Sequence, residues 1–417
     1  MEMTTLTRNR ESGFTIVEMA ISLLVTVTVL LGVLALFDFS NKLTRVQTNV
    51  ADMQQSLRTA QYDMVRLARM TGRGGLPLGG LPDGLALSIR NNVAENERIT
   101  DADSPLVLPG TDVLTIRGIF SSSIYQIDTE NPASLELRGP AGAPVDGSLV
   151  IQSTTPTGIT QDLTYIREAI RPDSEGNPPP PEAILLVSSR DASVYTVVEL
   201  DPGSSTESAD QVTLAFKVTG GEFSAEYGRF SSEGPGVFPT NLTSVAFAGI
   251  LEEYRFYVRE EHAILDDPSS EITSKLSRAR TLPGTDVPHR DNVDLRVDIA
   301  DNIIDLQIAL GLDTANGGCT LEANETNCSI FESENGEEDD WLYNDDKPVD
   351  LIAFGSSTLH YVRVTTLART DRPDPKYRAP VIGRLEDHDY TDSQFNEDTG
   401  LMFRRRFLQT VIDMRNL

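Results

Sequence analysis

Between Met19 and Phe37 the chain runs for nineteen residues without one charged side chain. Counted back to Phe14, the mostly apolar run has twenty-four residues, and its single charge is Glu18. As a helix rising ~1.5 Å per residue it spans ~36 Å, enough for a bilayer core of ~30 Å. A cleaved secretory signal has a shorter apolar stretch and a small-x-small site at its far end. This run ends instead in Leu36-Phe37-Asp38, and Arg8 and Arg10 precede it. That mild basic bias holds an N-terminus in the cytoplasm. The sequence therefore predicts a single-pass anchor with residues 38 onward on the far side, a compartment that is oxidising in bacteria. A carboxylate within the bilayer costs about 2.5–3.5 kcal/mol even on lenient insertion scales. Glu18 therefore needs a partner or a function.

The helical pattern continues past the anchor. Phe39, Leu43, Val46, Val50, Met53, Leu57, Ala60, Met64 and Leu67 recur at alternating steps of four and three, a narrow apolar stripe on a helix. Lys42, Arg45, Asp52, Arg58, Asp63 and Arg66 occupy the other faces, and Thr71-Gly72-Arg73-Gly74-Gly75-Leu76-Pro77 supplies the stop. Such a stripe suits either an independent coiled coil or a helix lying on its own β-sheet. The strands that follow favour the second. Gly72-x-Gly74 follows a helix, not a strand, and lacks a third glycine at the right offset, so it is a turn and no dinucleotide loop.

From about residue 85 the period changes to two. Strands are predicted at 85–90, 112–119, 148–152, 183–188, 193–199, 211–217, 254–259, 303–310, 359–368 and 406–414. In the last of these Leu408, Thr410, Ile412 and Met414 alternate with Phe407, Gln409, Val411 and Asp413. Residues 171–182, 201–210 and 313–350 read as polar loops. The fold class is α+β, with a long N-terminal helix on an antiparallel β-sheet and an enlarged β-rich head.

Sixty-three acidic residues against 35 basic give a formal charge of −28. That field excludes a protein that grips nucleic acid by its overall charge. The two cysteines, Cys319 and Cys328, are not in a CxxC, and with four histidines in the whole chain a four-ligand Cys/His zinc site is not expected. Beyond the membrane the cysteines are expected to form a disulfide, worth about 2–3 kcal/mol on the chain-entropy model; in a reducing compartment they would be two free thiols. Residues 313–346 are rich in carboxylates. Asp313, Glu337, Glu338, Asp339 and Asp340 are the candidate ligands should the loop hold Ca²⁺. The segment lacks the EF-hand ligand spacing, and a solvated acidic loop is the competing reading. No other cofactor is expected. No HExxH or GxSxG occurs. His360 falls in a predicted strand, Glu386-Asp387-His388-Asp389 reads as a solvated loop, and Arg404–Arg406 reads as edge protection or a subunit contact.

The leader ending in Gly13, followed by Phe14-Thr15-Ile16-Val17-Glu18 and the apolar helix, resembles the processing site of type IV prepilins and type II secretion pseudopilins. The resemblance implies cleavage after Gly13 by a prepilin peptidase and N-methylation of Phe14. It also implies an assembly ion pair between Glu18 and the Phe14 amine of a neighbouring subunit. Major pilins usually carry a kinking proline about twenty residues into the mature chain, where this sequence has Leu31-Gly32-Val33. Further patches narrow the resemblance to minor pilins of the PilW type. They are Arg66–Gly72, Gly110–Gly118, Asp301–Asp313, Val362–Thr370 and Arg404–Leu417. Segments 120–245 and 314–350 match none of that pattern and look like insertions.

The implied organisation is a leader (1–13), a transmembrane and filament-core helix (14–37), its amphipathic continuation (38–72) and a head (73–417). The implied function is that of a non-enzymatic subunit that helps initiate pilus assembly at or near the filament tip. Its implied partners are minor and major pilins, the prepilin peptidase, the inner-membrane assembly platform and a tip adhesin. Before assembly it would sit in the inner membrane, and afterwards at the cell surface. The alternatives are a J-type pseudopilin of a type II secretion tip, and a surface hydrolase or carbohydrate-binding protein tethered by a pilin helix.

Overall fold

The computed structural model describes residues 15–414 except 79–85, 101–102, 132–133, 139–145, 173, 235–236, 263–271, 315–340, 343–356, 387 and 392. Gly13, Phe14, Cys319, Cys328 and Glu337–Asp340 lie outside the described residues, and Asp313 is described in its backbone only. The chain divides into two units, Met1–Asp52 and Met53–Leu417.

Helix α1 runs from Ile16 to Ala68. In the first unit every described residue from Thr15 to Arg45 is exposed. The most apolar eighteen-residue window of α1 has a mean hydropathy of 2.7, and none of it is buried. The hydroxyls of Thr26 and Thr28 donate to the Ser22 and Leu24 carbonyls at 2.7 and 2.8 Å. Polar atoms in the apolar tract are thus absorbed by the helix itself.

In the second unit the stripe is buried at Met53, Leu57, Ala60, Met64 and Leu67, whereas Phe39 and Leu43, in the first, are 68% and 48% exposed. The boundary between units falls inside the helix, so its last four turns belong with the head. The chain leaves α1 through a turn that pairs with the sheet: Gly72 N–H donates to the Arg117 carbonyl at 2.8 Å, and Ile119 N–H to the Arg73 carbonyl at 3.0 Å.

The head is built on antiparallel strands. Eleven of them form one sheet: β1 (Leu87–Arg90), β2 (Val113–Gly118), β3 (Tyr125–Gln126), β4 (Leu135–Arg138), β5 (Asp146–Gln152), β6 (Ala183–Ser188), β7 (Tyr195–Glu207), β8 (Gln211–Lys217), β9 (Val245–His262), β10 (Ile272–Thr281) and β11 (Val297–Asp301). Its main path is β1-β2-β9-β6-β7-β8-β5-β4. Four strands form a second sheet in the order β13-β12-β14-β17: β12 (Ile303–Thr314), β13 (Trp341–Leu342), β14 (Ser357–Arg369) and β17 (Arg405–Asp413). A small hairpin joins β15 (Arg384–Leu385) to β16 (His388–Asp389). Short helices α2 (Thr164–Glu168) and α3 (Ser224–Tyr227) cross the connections.

Each predicted strand is present. Segment 120–245, which read as an insertion, supplies β3 to β8 and encloses its own core around Tyr125, Leu149, Ile166, Ile184, Leu214, Phe216 and Ile250. Residues 201–207, expected as loop, belong to β7. An irregularity between Asp201 and Thr206 absorbs the Pro-Gly segment, and pairing with β8 then resumes at Thr206↔Thr213.

The central strand is β9. Along one edge it takes β2 and β3; along the other it takes β6 up to Leu251 and β10 from Glu253. The change of partner from β6 to β10 at Glu252–Glu253 coincides with the most charged part of the interior. The second sheet carries α1 through Gln61, which is 4% exposed. Its amide donates to the Leu408 carbonyl at 2.6 Å and to the Val364 carbonyl at 3.3 Å, and its Oε1 accepts from the Thr410 hydroxyl.

Candidate functional site

The candidate site is the start of α1. Thr15 precedes the first helical residue, and Glu18 is the third residue of the helix. The Thr15 backbone N–H and its hydroxyl both donate to Glu18 Oε2, at 2.9 Å each. Glu18 N–H donates in turn to Thr15 Oγ1 at 3.2 Å. This is a reciprocal capping box, which satisfies backbone donors at a helix start that have no partner inside the helix. The Thr-x-x-Glu spacing that signals it is plain in the sequence. The resemblance implies a partner-chain amine for the carboxylate; the structure adds a partner within its own chain, Thr15.

The cap uses only Oε2. Among the described residues Glu18 Oε1 has no hydrogen-bond partner. The carboxylate is therefore oriented by its own chain, and one oxygen remains able to accept a cation. Around it the apolar surface from Ile16 to Phe37 is exposed, with Ile16 at 86% and Leu36 at 72%.

The interior charges of the head are arranged differently. Glu253, on β9, is fully buried and accepts from Arg117 Nε at 2.5 Å, Arg255 Nε at 2.8 Å, the Thr281 hydroxyl at 2.8 Å and Gly284 N–H at 2.8 Å. Burial pushes its pKa up, but Arg117, Arg255 and the Gly284 N–H outweigh that and bring it down to about 2. Glu252 beside it meets Arg280 at 2.9 Å and accepts from Phe120 N–H at 2.8 Å. With donors on every side, these carboxylates stitch strands together where β9 changes partner. The sequence offered Glu252-Glu253 as one acidic pair among many, and nothing marked it as interior.

In the 386–389 segment Asp389 is exposed as expected, whereas Glu386 and His388 are drawn inward. Glu386 accepts from Arg363 at 2.8 Å, Thr365 at 2.6 Å and Gln409 at 2.8 Å. Arg363 is itself buried in the second sheet, and its charge draws the carboxylate in. His388 Nδ1 lies 3.1 Å from Asp305 Oδ2, which also accepts from the Tyr390 hydroxyl at 2.6 Å. An Asp–His pair of this kind can orient a general base. Here the other ring nitrogen, Nε2, abuts Gly110, whose φ of +78° lets the backbone turn beneath the ring. That leaves no space there for a reacting group, so the pair acts as a latch for the β15–β16 hairpin.

Arg404 stacks on Tyr377 at 4.2 Å and meets Asp374 at 3.1 Å, whereas Arg405 donates to the Gly400 carbonyl at 2.9 Å. Arg404, just before β17, and Arg405, its first residue, thus serve different contacts within the chain. His360 lies in β14 as predicted. No group of three or more His, Cys, Asp or Glu able to hold a metal occurs among the described residues.

No protein-family model matches the chain, and no curated protein or solved structure matches it.

Proposed function

We propose that the protein is a minor type IV pilin of the PilW type, a structural subunit that primes pilus assembly and displays its head near the filament tip. The observation that carries the reading is the start of α1. A segment ending in Gly13 is followed by Phe14, by a Glu18 oriented through Oε2 whose Oε1 has no partner among the described residues, and by an apolar helical surface exposed among them. After cleavage the Phe14 α-amine would carry a positive charge, which methylation preserves. Delivered by a neighbouring subunit, it would meet Glu18 Oε1 without disturbing the Thr15 cap.

A desolvated ion pair adds little net stability. A mis-set neighbour, however, leaves a buried charge unpaired. The pair therefore selects register more than it supplies affinity. A head this large, at the end of a helix that is buried only from Met53 onward, suits a terminal position better than a repeated one.

The test is the N-terminus of the native protein. Mass spectrometry is expected to find N-methylated Phe14 as the first residue, and Gly13→Val is expected to leave the precursor uncleaved in the inner membrane. Working fibres that retain residues 1–13 would refute the proposal. Loss of pili, as opposed to loss of protein secretion, in a deletion strain separates it from the pseudopilin alternative.

A further inference from the structure

The head contains a second feature, unconnected with assembly. A cavity of about 570 Å³ is lined by residues 98, 103–106 and 293–296 among others, within the range of small-molecule sites, roughly 300–1,000 Å³. Its floor is fixed. The Leu106 carbonyl accepts from Glu260 N–H at 3.0 Å, and Leu108 N–H donates to the Val258 carbonyl at 2.8 Å. This segment is therefore laid along β9.

The opposite wall turns at Leu295, whose φ of +52° lies in the left-handed region that residues with a Cβ avoid. Two contacts hold it there. Its side chain is 2% exposed, in a cluster with Ile99, Val107 and Tyr257, and its carbonyl accepts from the Tyr257 hydroxyl at 2.8 Å. A strained residue kept in place by its surroundings is a common device at ligand sites. Here its consequence is that Asp294 and Arg296, on either side of it, are exposed and line the cavity.

The charges along this cavity fall into two sets. Arg259 is paired with Asp298 at 2.9 Å and Glu261 at 3.3 Å, Glu261 is shared with Lys275, and Asp103 and Glu260 have partners of their own. Asp294 and Arg296 make no hydrogen bond or ion pair with the described residues. The Arg98 guanidinium donates to the Ser104 backbone carbonyl and meets no carboxylate among the described residues. Asp294 and Arg296 thus line the space without a partner among the described residues, and the Arg98 guanidinium lines it with a backbone carbonyl engaged. Beside them lie Leu106 and Val293, the latter 70% exposed.

We propose that this cavity binds a free α-amino acid with an apolar side chain. Arg98 and Arg296 would take the α-carboxylate, whose planar geometry matches a guanidinium fork. Asp294 takes the α-ammonium, and Val293 and Leu106 receive the side chain. With three arginines and four carboxylates in the lining, a zwitterion is accommodated where a multivalent anion is repelled.

Isothermal titration of the full-length protein in detergent micelles tests this, with L-leucine, N-acetyl-L-leucine, L-leucinamide and inorganic phosphate as probes. L-Leucine is expected to bind saturably, and each blocked analogue about tenfold or more weaker, the loss of one charge-assisted contact. Arg296→Gln and Asp294→Asn, both at exposed positions that leave the fold intact by circular dichroism, are expected to weaken L-leucine by a similar factor. The proposal is overturned by any of three results: no saturable heat with L-leucine, unchanged affinity in both variants, or phosphate binding tighter than L-leucine.

Discussion

At the scale of the residue, two carboxylates with opposite surroundings make opposite predictions. Glu253 has its pKa held at about 2 by Arg117, Arg255 and the Gly284 N–H against the upward push of burial. A depressed folded-state pKa means stabilisation that is fully present above the ordinary value of 4.5 and lost as pH falls toward 2. The denaturation midpoint of the wild type is therefore expected to drop over that window. Glu253→Gln should lower stability by about 3–5 kcal/mol at neutral pH, because Arg117 and Arg255 lose their buried counter-charge. It should also flatten the acid limb of the midpoint-against-pH curve. Glu18 is exposed and should behave differently. Glu18→Ala is expected to be cleaved normally by the peptidase yet recovered poorly in sheared pili. Incorporation at the wild-type level would show that the carboxylate serves only as a helix cap.

At the scale of the element, the joint between α1 and the second sheet rests on one buried polar side chain. Gln61 joins the helix to β14 and β17 through its amide and accepts from Thr410. Gln61→Ala strands the Thr410 hydroxyl and leaves the Leu408 carbonyl with the Thr366 hydroxyl at 3.4 Å as its side-chain donor, and a loss of about 1–3 kcal/mol is expected in chemical denaturation. The strands differ in how far their sequences disclosed them. In β17, Phe407 and Val411 are exposed while Ile412 is buried, as is Met414 just beyond the strand, following the alternation that is visible without a structure. The predicted strands omit β10. It carries Lys275, Arg278 and Arg280, and Arg278 pairs with Asp63 of α1 at 2.9 Å and Arg280 with Glu252. A charge that is neutralised by a residue far away in the chain cannot be read from its own segment. The far end of β7 was missed for a related reason. Asp201-Pro202-Gly203 has turn chemistry, and only β8 alongside carries the strand past it.

At the scale of the whole molecule, the apolar tract and the cores of the head lie in different units, Met1–Asp52 and Met53–Leu417. Removing residues 1–37 is expected to move the protein from the detergent phase to the aqueous phase with its β-sheet circular dichroism retained. Persistence in the detergent phase would mean that the head has a membrane affinity of its own. By itself the sequence determined the membrane-length helix, its Thr-x-x-Glu start, the stripe from Met53 to Leu67 and the positions of most strands. Each of these is set by periodicity or by contacts within a few residues. Only the tertiary structure decided that Glu252 and Glu253 are interior, that Glu386 is held by Arg363, that segment 120–245 builds part of the main sheet, and that Asp294 and Arg296 share a cavity with Arg98. These depend on which distant residues meet, and burial and charge pairing are properties of that meeting.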